Sequence, residues 1–279
     1  MRFLTAGESH GPALVAVIEG FPAKVPVTQE AIDRELARRQ LGYGRGGRMK
    51  IEQDQAEILS GVRSGLSMGS PISLRISNRD WARWAPVMAP FTPPQAETVT
   101  IAGDPLLTKV SAAVTTPRPG HADLSGAFKY GYRDLRNIIE RASARETAAR
   151  VGVGAFAKLL LAQFRIEVGS FTARIGTAGE ETICALTRAE QERVDQSPVR
   201  ALNPELGTAM VHTIEEAKAV GETLGGLFVV YATGVPPGLG SHVHWDRRLD
   251  GQLAQAVLSI PGIKGVEFGT IVRLLCGPN

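Results

Sequence analysis

The chain has 279 residues, of which 43% are hydrophobic, and a formal net charge of +3. This length exceeds the usual single-domain size, but one large α/β or α+β unit can accommodate it, and the hydrophobic content suffices for a sizeable core. Glycines and prolines occur throughout rather than in one linker, so we expect a single domain over residues 1–279. No continuous apolar run approaches the ~18 residues of a membrane span and no signal-like segment opens the chain, which predicts a cytoplasmic protein with no membrane partner.

The basic residues favour a small anionic ligand over nucleic acid. Arginine outnumbers lysine by 24 to 7, and the arginines cluster near glycines. A guanidinium group matches carboxylates and phosphates through two parallel hydrogen bonds. Duplex nucleic acid would favour a larger basic excess and a recognisable reading motif, and the sequence offers neither. The two cysteines, Cys184 and Cys276, are far apart and predict buried, inert thiols rather than a metal site or a disulfide framework.

A glycine-rich segment near the N-terminus, Gly-Glu-Ser-His-Gly-Pro at residues 7–12, predicts a ligand site. It lies between predicted strands at residues 2–5 and 13–18, and its glycines let Ser9 and His10 come very close to a ligand. The segment also fits the G-x-S-x-G motif of serine hydrolases, but that motif requires a helix after the serine, where a strand is predicted instead. A glycine turn with a structural histidine is the other interpretation.

A helix and an arginine-bearing loop follow. Thr28 predicts the N-cap of a helix over residues 29–40. The next segment, residues 42–48, contains G-x-G-x-x-G, but a dinucleotide-binding fingerprint follows a strand and opens a helix, so a Rossmann fold is rejected. The loop predicts an anion-binding lid, with a solvated basic surface as the alternative. The arginines concerned are Arg39, Arg45 and Arg48.

The middle of the chain predicts strands and one long loop. Short apolar runs over residues 54–78 predict strands and turns, including a strand at residues 72–76. Residues 80–94 carry two tryptophans and several prolines, which predicts an irregular loop. A further strand is predicted over residues 110–116.

That strand would lead into a proline–glycine turn over residues 117–123. Proline and glycine can hold His121 in a fixed pose, with Arg118 and Asp123 nearby. A loop histidine taken alone is more often structural or exposed than catalytic. Together with His10, however, it would give the chain two imidazoles that can act as acids near neutral pH.

The longest helical pattern covers residues 140–164 and predicts a buried helix. Arg141 and Arg145 lie four residues apart, which predicts that they share one face near the helix N-terminus and supply two more anion donors.

The C-terminal half predicts two capped helices and a strand. Thr187-x-x-Glu190 and Thr213-x-x-Glu216 predict capping boxes, with Gly225 ending the second helix. Residues 227–233 predict a buried strand. His242-x-His244 with Asp246 is a weak metal-site pattern, so this segment is interpreted as structural and no metal is expected.

Taken together, these residues resemble the chorismate synthase family. Four segments carry the resemblance, in the family's order and spacing, within a match from Met1 to about Gly269: residues 7–22, 38–49, 118–123 and 141–147. The resemblance implies an α+β fold, a β-α-β sandwich of two antiparallel sheets with flanking helices, assembled as a homotetramer.

The resemblance also implies a reaction. The family makes chorismate from 5-enolpyruvylshikimate 3-phosphate by 1,4-elimination of phosphate, and it requires reduced FMN although there is no net redox change. By this resemblance His10 is the general acid that faces the phosphate, and His121 lies beside the flavin and tunes its N1 protonation. The implied substrate ligands are Ser9, Arg39, Arg45, Arg48 and Arg145. The implied flavin ligands are Arg39, Arg45, Arg141, Ala142 and Ser143, and the first two would also contact NADPH if the enzyme reduces its own flavin.

The resemblance further predicts that the chain leaves the family pattern at Thr270, whereas family members continue with more flavin and substrate contacts. This leaves a second hypothesis of a different class, an inactive remnant that binds polyanions or assembles with partner subunits.

Overall fold

The computed structural model describes residues 1–44, 53–91, 113–180 and 185–269. Contacts within the chain divide it into two compact units, Met1–Leu36 with Ile51–Phe156 and Ala37–Lys50 with Ala157–Asn279. Each unit has its own antiparallel sheet and its own buried residues. The single domain expected from the sequence stays a prediction.

The described elements are named in chain order. The strands are β1 (Arg2–Ala6), β2 (Ala13–Glu19), β3 (Ala56–Ser60), β4 (Val62–Arg63), β5 (Leu66–Ser67), β6 (Ile72–Ser77), β7 (Glu167–Ile175), β8 (Ala178–Gly179) and β9 (Gly226–Thr233). The α-helices are α1 (Gln29–Gln40), α2 (Trp81–Met88), α3 (Asp123–Tyr130), α4 (Arg136–Arg141), α5 (Thr147–Gln163), α6 (Arg188–Gln196), α7 (Pro204–Ala219) and α8 (Leu249–Leu258). Two 3₁₀ turns cover Ala144–Glu146 and Trp245–Arg247.

The first unit is built on a four-stranded antiparallel sheet in the order β1-β2-β6-β3. Apolar residues alternate along β2 and β6, so one face of the sheet is buried. Leu14 lies opposite Ile76 and Ile18 opposite Ile72 in the register of these strands, and all four side chains are fully buried. Burial of each such side chain stabilises the fold by about 1.5–3 kcal/mol. The predicted strands at residues 2–5, 13–18 and 72–76 are confirmed.

Helix α5 packs closely on this sheet because Gly152 has no side chain. A Cβ added at Gly152 would lie 3.3 Å from a methyl group of Leu74. One turn further along, Phe156 meets Phe21 edge to face, with ring centroids 5.8 Å apart. Helix α1 begins as predicted, since the hydroxyl of Thr28 accepts a hydrogen bond from a backbone N–H of its first turn.

The second unit contains a three-stranded antiparallel sheet in the order β8-β7-β9. Helix α6 opens with the predicted capping box, in which Thr187 and Glu190 exchange hydrogen bonds between side chain and backbone. Two buried clusters stabilise this unit, one of Phe171, Ala173, Val194 and Val229 and one of Val199, Ala201, Leu206 and Met210.

The α+β class with antiparallel sheets, expected from the sequence, is confirmed. None of the helices in the described ranges combines the length and the hydropathy that crossing a bilayer requires.

Two predictions in the middle of the chain are wrong. The predicted loop at residues 80–94 contains α2, with Pro86 inside the helix. Tertiary contacts of this helix outweigh the local proline signal, as Trp84 shows below. Residues 113–116, the described part of the predicted strand at 110–116, form no strand. Here Val114 instead donates to Oδ1 of Asp134 and accepts from the N–H of Leu135.

The predicted helix over residues 140–164 is divided into three pieces. Ser143 is extended (φ −69°, ψ 145°), and its hydroxyl caps the 3₁₀ turn that follows. A serine whose side chain bonds the backbone ends one helix and begins another. Arg141 therefore lies exposed at the end of α4 and Arg145 buried in the 3₁₀ turn, so the shared helix face predicted for them does not form.

Two predictions in the second unit also need correction. Helix α7 begins at the Asn203 cap with Pro204 in its first turn, so Thr213 lies inside the helix, where its hydroxyl bonds the carbonyl of Ala209. The helix ends at Ala219, well before Gly225. The strand predicted at residues 227–233 is present as β9, but Val229 is its one buried residue.

Gly7, between β1 and β2, offers a test of this fold. It has φ +104°, and an added Cβ would lie 2.4 Å from the carbonyl oxygen of Ala13. Because backbone strain and a backbone clash coincide, we expect Gly7→Ala to lower the free energy of unfolding by about 2–4 kcal/mol in urea titrations. Gly120→Ala is the matched control, since Gly120 has φ +69° but nothing within 4 Å of the added Cβ. The control should lose only about 1 kcal/mol, and equal losses would contradict the clash.

Candidate active site

The turn between β1 and β2 is held in place by Asn78, which follows β6. The buried Asn78 amide donates to the carbonyl oxygens of Gly11 at 2.7 Å and Glu8 at 3.3 Å. Its backbone N–H also donates to the carbonyl of Pro12 at 3.1 Å. A strand follows Ser9, as the sequence predicts, so the serine-hydrolase geometry is absent.

His10 is paired with a buried carboxylate of α4. Nδ1 of its ring lies 2.8 and 3.0 Å from the two carboxylate oxygens of Glu140, and the His10 backbone N–H donates to Glu140 Oε2 at 2.7 Å. The side chain of Glu140 is 2% exposed and that of His10 is 23% exposed. The imidazole is therefore anchored but still accessible to a small ligand.

The face of the same ring is covered by Trp84 of α2. The two rings stack with centroids 3.8 Å apart and planes 22° from parallel. The guanidinium of Arg136 lies 5.9 Å from the indole centroid, within the range of a cation–π contact.

Ser9 and Ser143 bring two hydroxyl groups together beside His10. Ser143 Oγ and Ser9 Oγ are 3.1 Å apart, and the Ser9 backbone N–H donates to the carbonyl of Glu140 at 3.1 Å. Ser9 is 5% exposed. Residues 140–143 thus dock on the turn through both main chain and side chains.

Arg145 forms a buried ion pair beneath this turn. Its Nη1 lies 2.7 Å from both carboxylate oxygens of Asp54, and its Nε donates to Oδ1 of Asn78 at 2.9 Å. The side chains of Arg145 and Asp54 are 6% and 0% exposed. The guanidinium predicted to hold substrate is therefore also a structural support for Asn78.

Arg141 lies at the surface of the same region, with 43% of its side chain exposed. It donates to the carbonyl and hydroxyl oxygens of Thr5, each at 3.0 Å. Ala142 follows it at the exposed end of α4. The guanidinium is thus fixed to β1 and still reachable from solvent.

The loop with His121 is closed by a second ion pair. Nε and Nη2 of Arg118 each donate to a carboxylate oxygen of Asp123 at 2.9 Å, and the Arg118 backbone N–H adds a third bond. These bonds hold the pKa of the buried Asp123 carboxyl at about 2. His121 is exposed, with Nδ1 2.9 Å from the carbonyl oxygen of Pro119. The predicted proximity of Arg118 and Asp123 is confirmed.

The predicted anion loop is described only at its start. Tyr43 donates from its hydroxyl to Glu215 at 2.6 Å and from its N–H to the carbonyl of Pro198 at 2.8 Å. The bond to Glu215 raises the pKa of the Tyr43 phenol. Arg39 is half-buried at the end of α1, whereas Arg45 and Arg48 lie outside the described residues, as do both cysteines.

The weak metal pattern near the C-terminus forms an exposed pair, in which His244 Nδ1 lies 2.8 Å from Asp246 Oδ1. Within the described ranges, no group of three histidines, cysteines or carboxylates is placed to hold a metal.

The first unit thus brings together six of the predicted residues: Ser9, His10, Arg141, Ala142, Ser143 and Arg145. The sequence did not single out four of their partners: Asp54, Asn78, Trp84 and Glu140. The sequence did contain one indication for Glu140. A carboxylate repels an anionic ligand, so a glutamate directly before two predicted anion-binding arginines suggests a different partner for that carboxylate. Trp84 was missed because residues 80–94 were predicted to form an irregular loop rather than a helix.

The chain is similar to known proteins of one family. The chorismate synthase family model matches residues 1–275. Chorismate synthase of Moorella thermoacetica is 55% identical over 279 residues, which cover 100% of this chain and 69% of that protein. The Chlorobium chlorochromatii enzyme is 53% identical, with 99% and 68% covered. A crystal structure of chorismate synthase superposes with a TM-score of 0.73 at 45% identity, covering 95% of this chain and 67% of the other.

Fold and site together define a mixed α+β protein with a histidine–carboxylate pair set among arginines and serines. The chain belongs to the chorismate synthase family, a family of lyases in aromatic biosynthesis.

The Arg118–Asp123 pair predicts a pH dependence of stability. Asp123 titrates at about 2 in the folded chain and at its ordinary value of 3.8 when unfolded, so its contribution is complete above pH 4 and is lost as the pH falls towards 2. We expect the unfolding free energies of wild type and Asp123→Asn to converge by about 1–2 kcal/mol between pH 5 and pH 2. Urea titrations at several pH values measure this, and a constant difference would contradict it.

Proposed function

We propose that the chain catalyses the 1,4-elimination of phosphate from 5-enolpyruvylshikimate 3-phosphate, as a carbon–oxygen lyase that requires reduced FMN. The observation that carries the proposal is the anchoring of His10 by Glu140 beside two serine hydroxyls and the partly exposed guanidinium of Arg141. Such a site offers an acid and anion donors together, which the loss of a phosphate group requires.

His10 is proposed as the general acid. In the elimination a base takes the proton of a C–H bond, the electrons of that bond move into a new double bond, and phosphate leaves with the electrons of the C–O bond. A proton given to the leaving phosphate lowers the charge it must carry. Since Nδ1 of His10 is occupied by Glu140, the proton comes from Nε2.

The residues implied for the cofactor fit a flavin in chemical terms. Arg141 is a half-exposed cation already fixed in orientation, and Ser143, two residues further along the chain, has a hydroxyl group that contacts Ser9. These donor types suit the phosphate or the ring oxygens of a flavin. When bound, reduced FMN would supply an electron-rich ring. His121 is proposed to hold a proton beside that ring, and the Arg118–Asp123 pair fixes the loop that carries it.

The remaining roles follow the family resemblance. Ser9, Arg39, Arg45, Arg48 and Arg145 are proposed to bind the carboxylates and phosphate of the substrate, and Arg39 and Arg45 also to contact the flavin. Contact of Arg39 and Arg45 with NADPH stays a prediction. A homotetramer and a cytoplasmic location are proposed on the same ground, and light scattering of the purified chain tests the former.

A flavin titration separates this proposal from an inactive remnant, which nothing in the comparisons favours. Tight quenching of FMN fluorescence that depends on added substrate supports the enzyme. Weak binding that substrate does not change would support the remnant.

The two histidines offer the first kinetic test. We expect His10→Ala and His121→Ala each to lower kcat by roughly 10²–10⁴-fold with little change in flavin affinity, because general acid catalysis contributes that much. His212→Ala is the matched control, since this histidine of α7 is 73% exposed. Near-wild-type turnover from pH 6 to 9 in either variant would refute the acid role of that residue.

The arginine loop offers the second test. We expect Arg48→Ala to raise the substrate KM roughly ten- to a hundredfold, because it removes a charge-assisted contact of about 1.5–3 kcal/mol. Arg34→Ala, on the exposed side of α1, changes the net charge equally and should leave KM unaltered. An unchanged KM for Arg48→Ala would favour the solvated-surface interpretation of the loop.

A further inference from the structure

We infer that Glu140 and Trp84 are the positioning residues of His10, in that the carboxylate fixes which ring nitrogen exchanges a proton and the indole fixes the plane of the ring. The inference deepens the proposed function and rests on it only where it gives His10 a role in proton transfer. Both contacts lie within the first unit.

Glu140 determines the protonation pattern of the imidazole. Its two oxygens receive Nδ1 of His10 at 2.8 and 3.0 Å, and one of them also accepts the His10 backbone N–H at 2.7 Å. An ionised carboxylate is an acceptor only, so Nδ1 carries hydrogen whether the ring is neutral or cationic. Nε2, which has no hydrogen-bond partner in the described part of the chain, is then the nitrogen that gains and loses the proton.

Glu140 also fixes the position of the His10 ring relative to helix α4. The Glu140 carbonyl accepts the backbone N–H of Ser9, and its carboxylate accepts the backbone N–H of His10. One residue of α4 therefore hydrogen-bonds to two successive residues of the turn. Three bonds from Glu140 to the turn and the imidazole leave the residue at position 10 little freedom to slide along the helix. A glutamate that merely satisfied a helix end would not need to face the ring.

Trp84 removes the freedom that remains. A hydrogen bond at Nδ1 still allows the ring to rotate about the bond axis, but a stack with centroids 3.8 Å apart excludes most such rotation. Arg136 also contacts the indole, since its guanidinium lies 5.9 Å from the indole centroid. The edge and the plane of the imidazole are therefore set by two different elements, α4 and α2.

The direct test is ¹⁵N NMR of the chain labelled at histidine, with neither substrate nor flavin present. His10→Ala assigns the His10 signals. The wild type should show neutral His10 in the Nδ1–H form, and Glu140→Gln should move it towards the Nε2–H form, because an amide can donate to Nδ1. Glu140→Asp keeps the charge and should retain the wild-type form at least in part. Glu146→Gln is the matched control: this glutamate is also buried but bonds Thr5 and Arg150 instead of His10, so the His10 tautomer should not change.

Kinetics of the same variants test the consequence. We expect Glu140→Gln to lower kcat roughly 10²–10⁴-fold with a much smaller change in KM. Trp84→Ala should lower kcat roughly ten- to a hundredfold through misplacement of the ring while leaving the tautomer intact. Trp84→Phe, which keeps an aromatic face, should recover most of that loss.

The outcomes separate the two levels of the argument. An unchanged His10 tautomer in folded Glu140→Gln overturns the role of Glu140, whatever the activity, and equal kcat for Trp84→Ala and Trp84→Phe overturns that of Trp84. If Glu140→Gln fails to fold, a wild-type chain whose neutral His10 is in the Nε2–H form would overturn the role of Glu140. A wild-type chain that shows the expected tautomer but no elimination activity would refute the proposed function and leave the positioning intact.

Discussion

The buried ion pair between Arg145 and Asp54 is the interaction on which the site depends. Two charges without solvent are stable only when each is paired and hydrogen-bonded, so the segments that carry them cannot separate cheaply. The same guanidinium holds Asn78, and Asn78 holds the turn of Gly11. The buried Arg145 thus fixes the Asn78 side chain, and Asn78 in turn fixes the backbone next to His10.

Three different residues hold His10 and its turn in place. The turn is fixed from below by the Asn78 amide, from one side by Glu140 and over its ring face by Trp84. Each contact uses a different physical effect, namely amide hydrogen bonding, charge-assisted bonding and ring stacking. Because the contacts come from separate elements, no single helix has to carry the geometry alone.

Much of this arrangement could be predicted from the sequence, and the rest could not for identifiable reasons. Short apolar runs bounded by glycine and proline predicted β2 and β6, and the capping residues Thr28 and Thr187 predicted the starts of two helices. These signals are local. The break at Ser143 depends on a side-chain cap that the helical period does not reveal. The helix at Trp84 depends on tertiary contacts that outweigh the proline signal. The pairing of Glu140 with His10 joins positions 130 residues apart, and no local pattern contains it.

That separation along the chain has a consequence for folding. Two residues 130 positions apart meet only after a large loop has closed, and the entropy of closure is lost before any contact between them is gained. The β1–β2 hairpin needs no such closure, so its pairing does not depend on the contact between His10 and Glu140. The orientation of the His10 ring therefore depends on the docking of α4. A local opening of that short helix would release the imidazole from Glu140 while the sheet stayed intact.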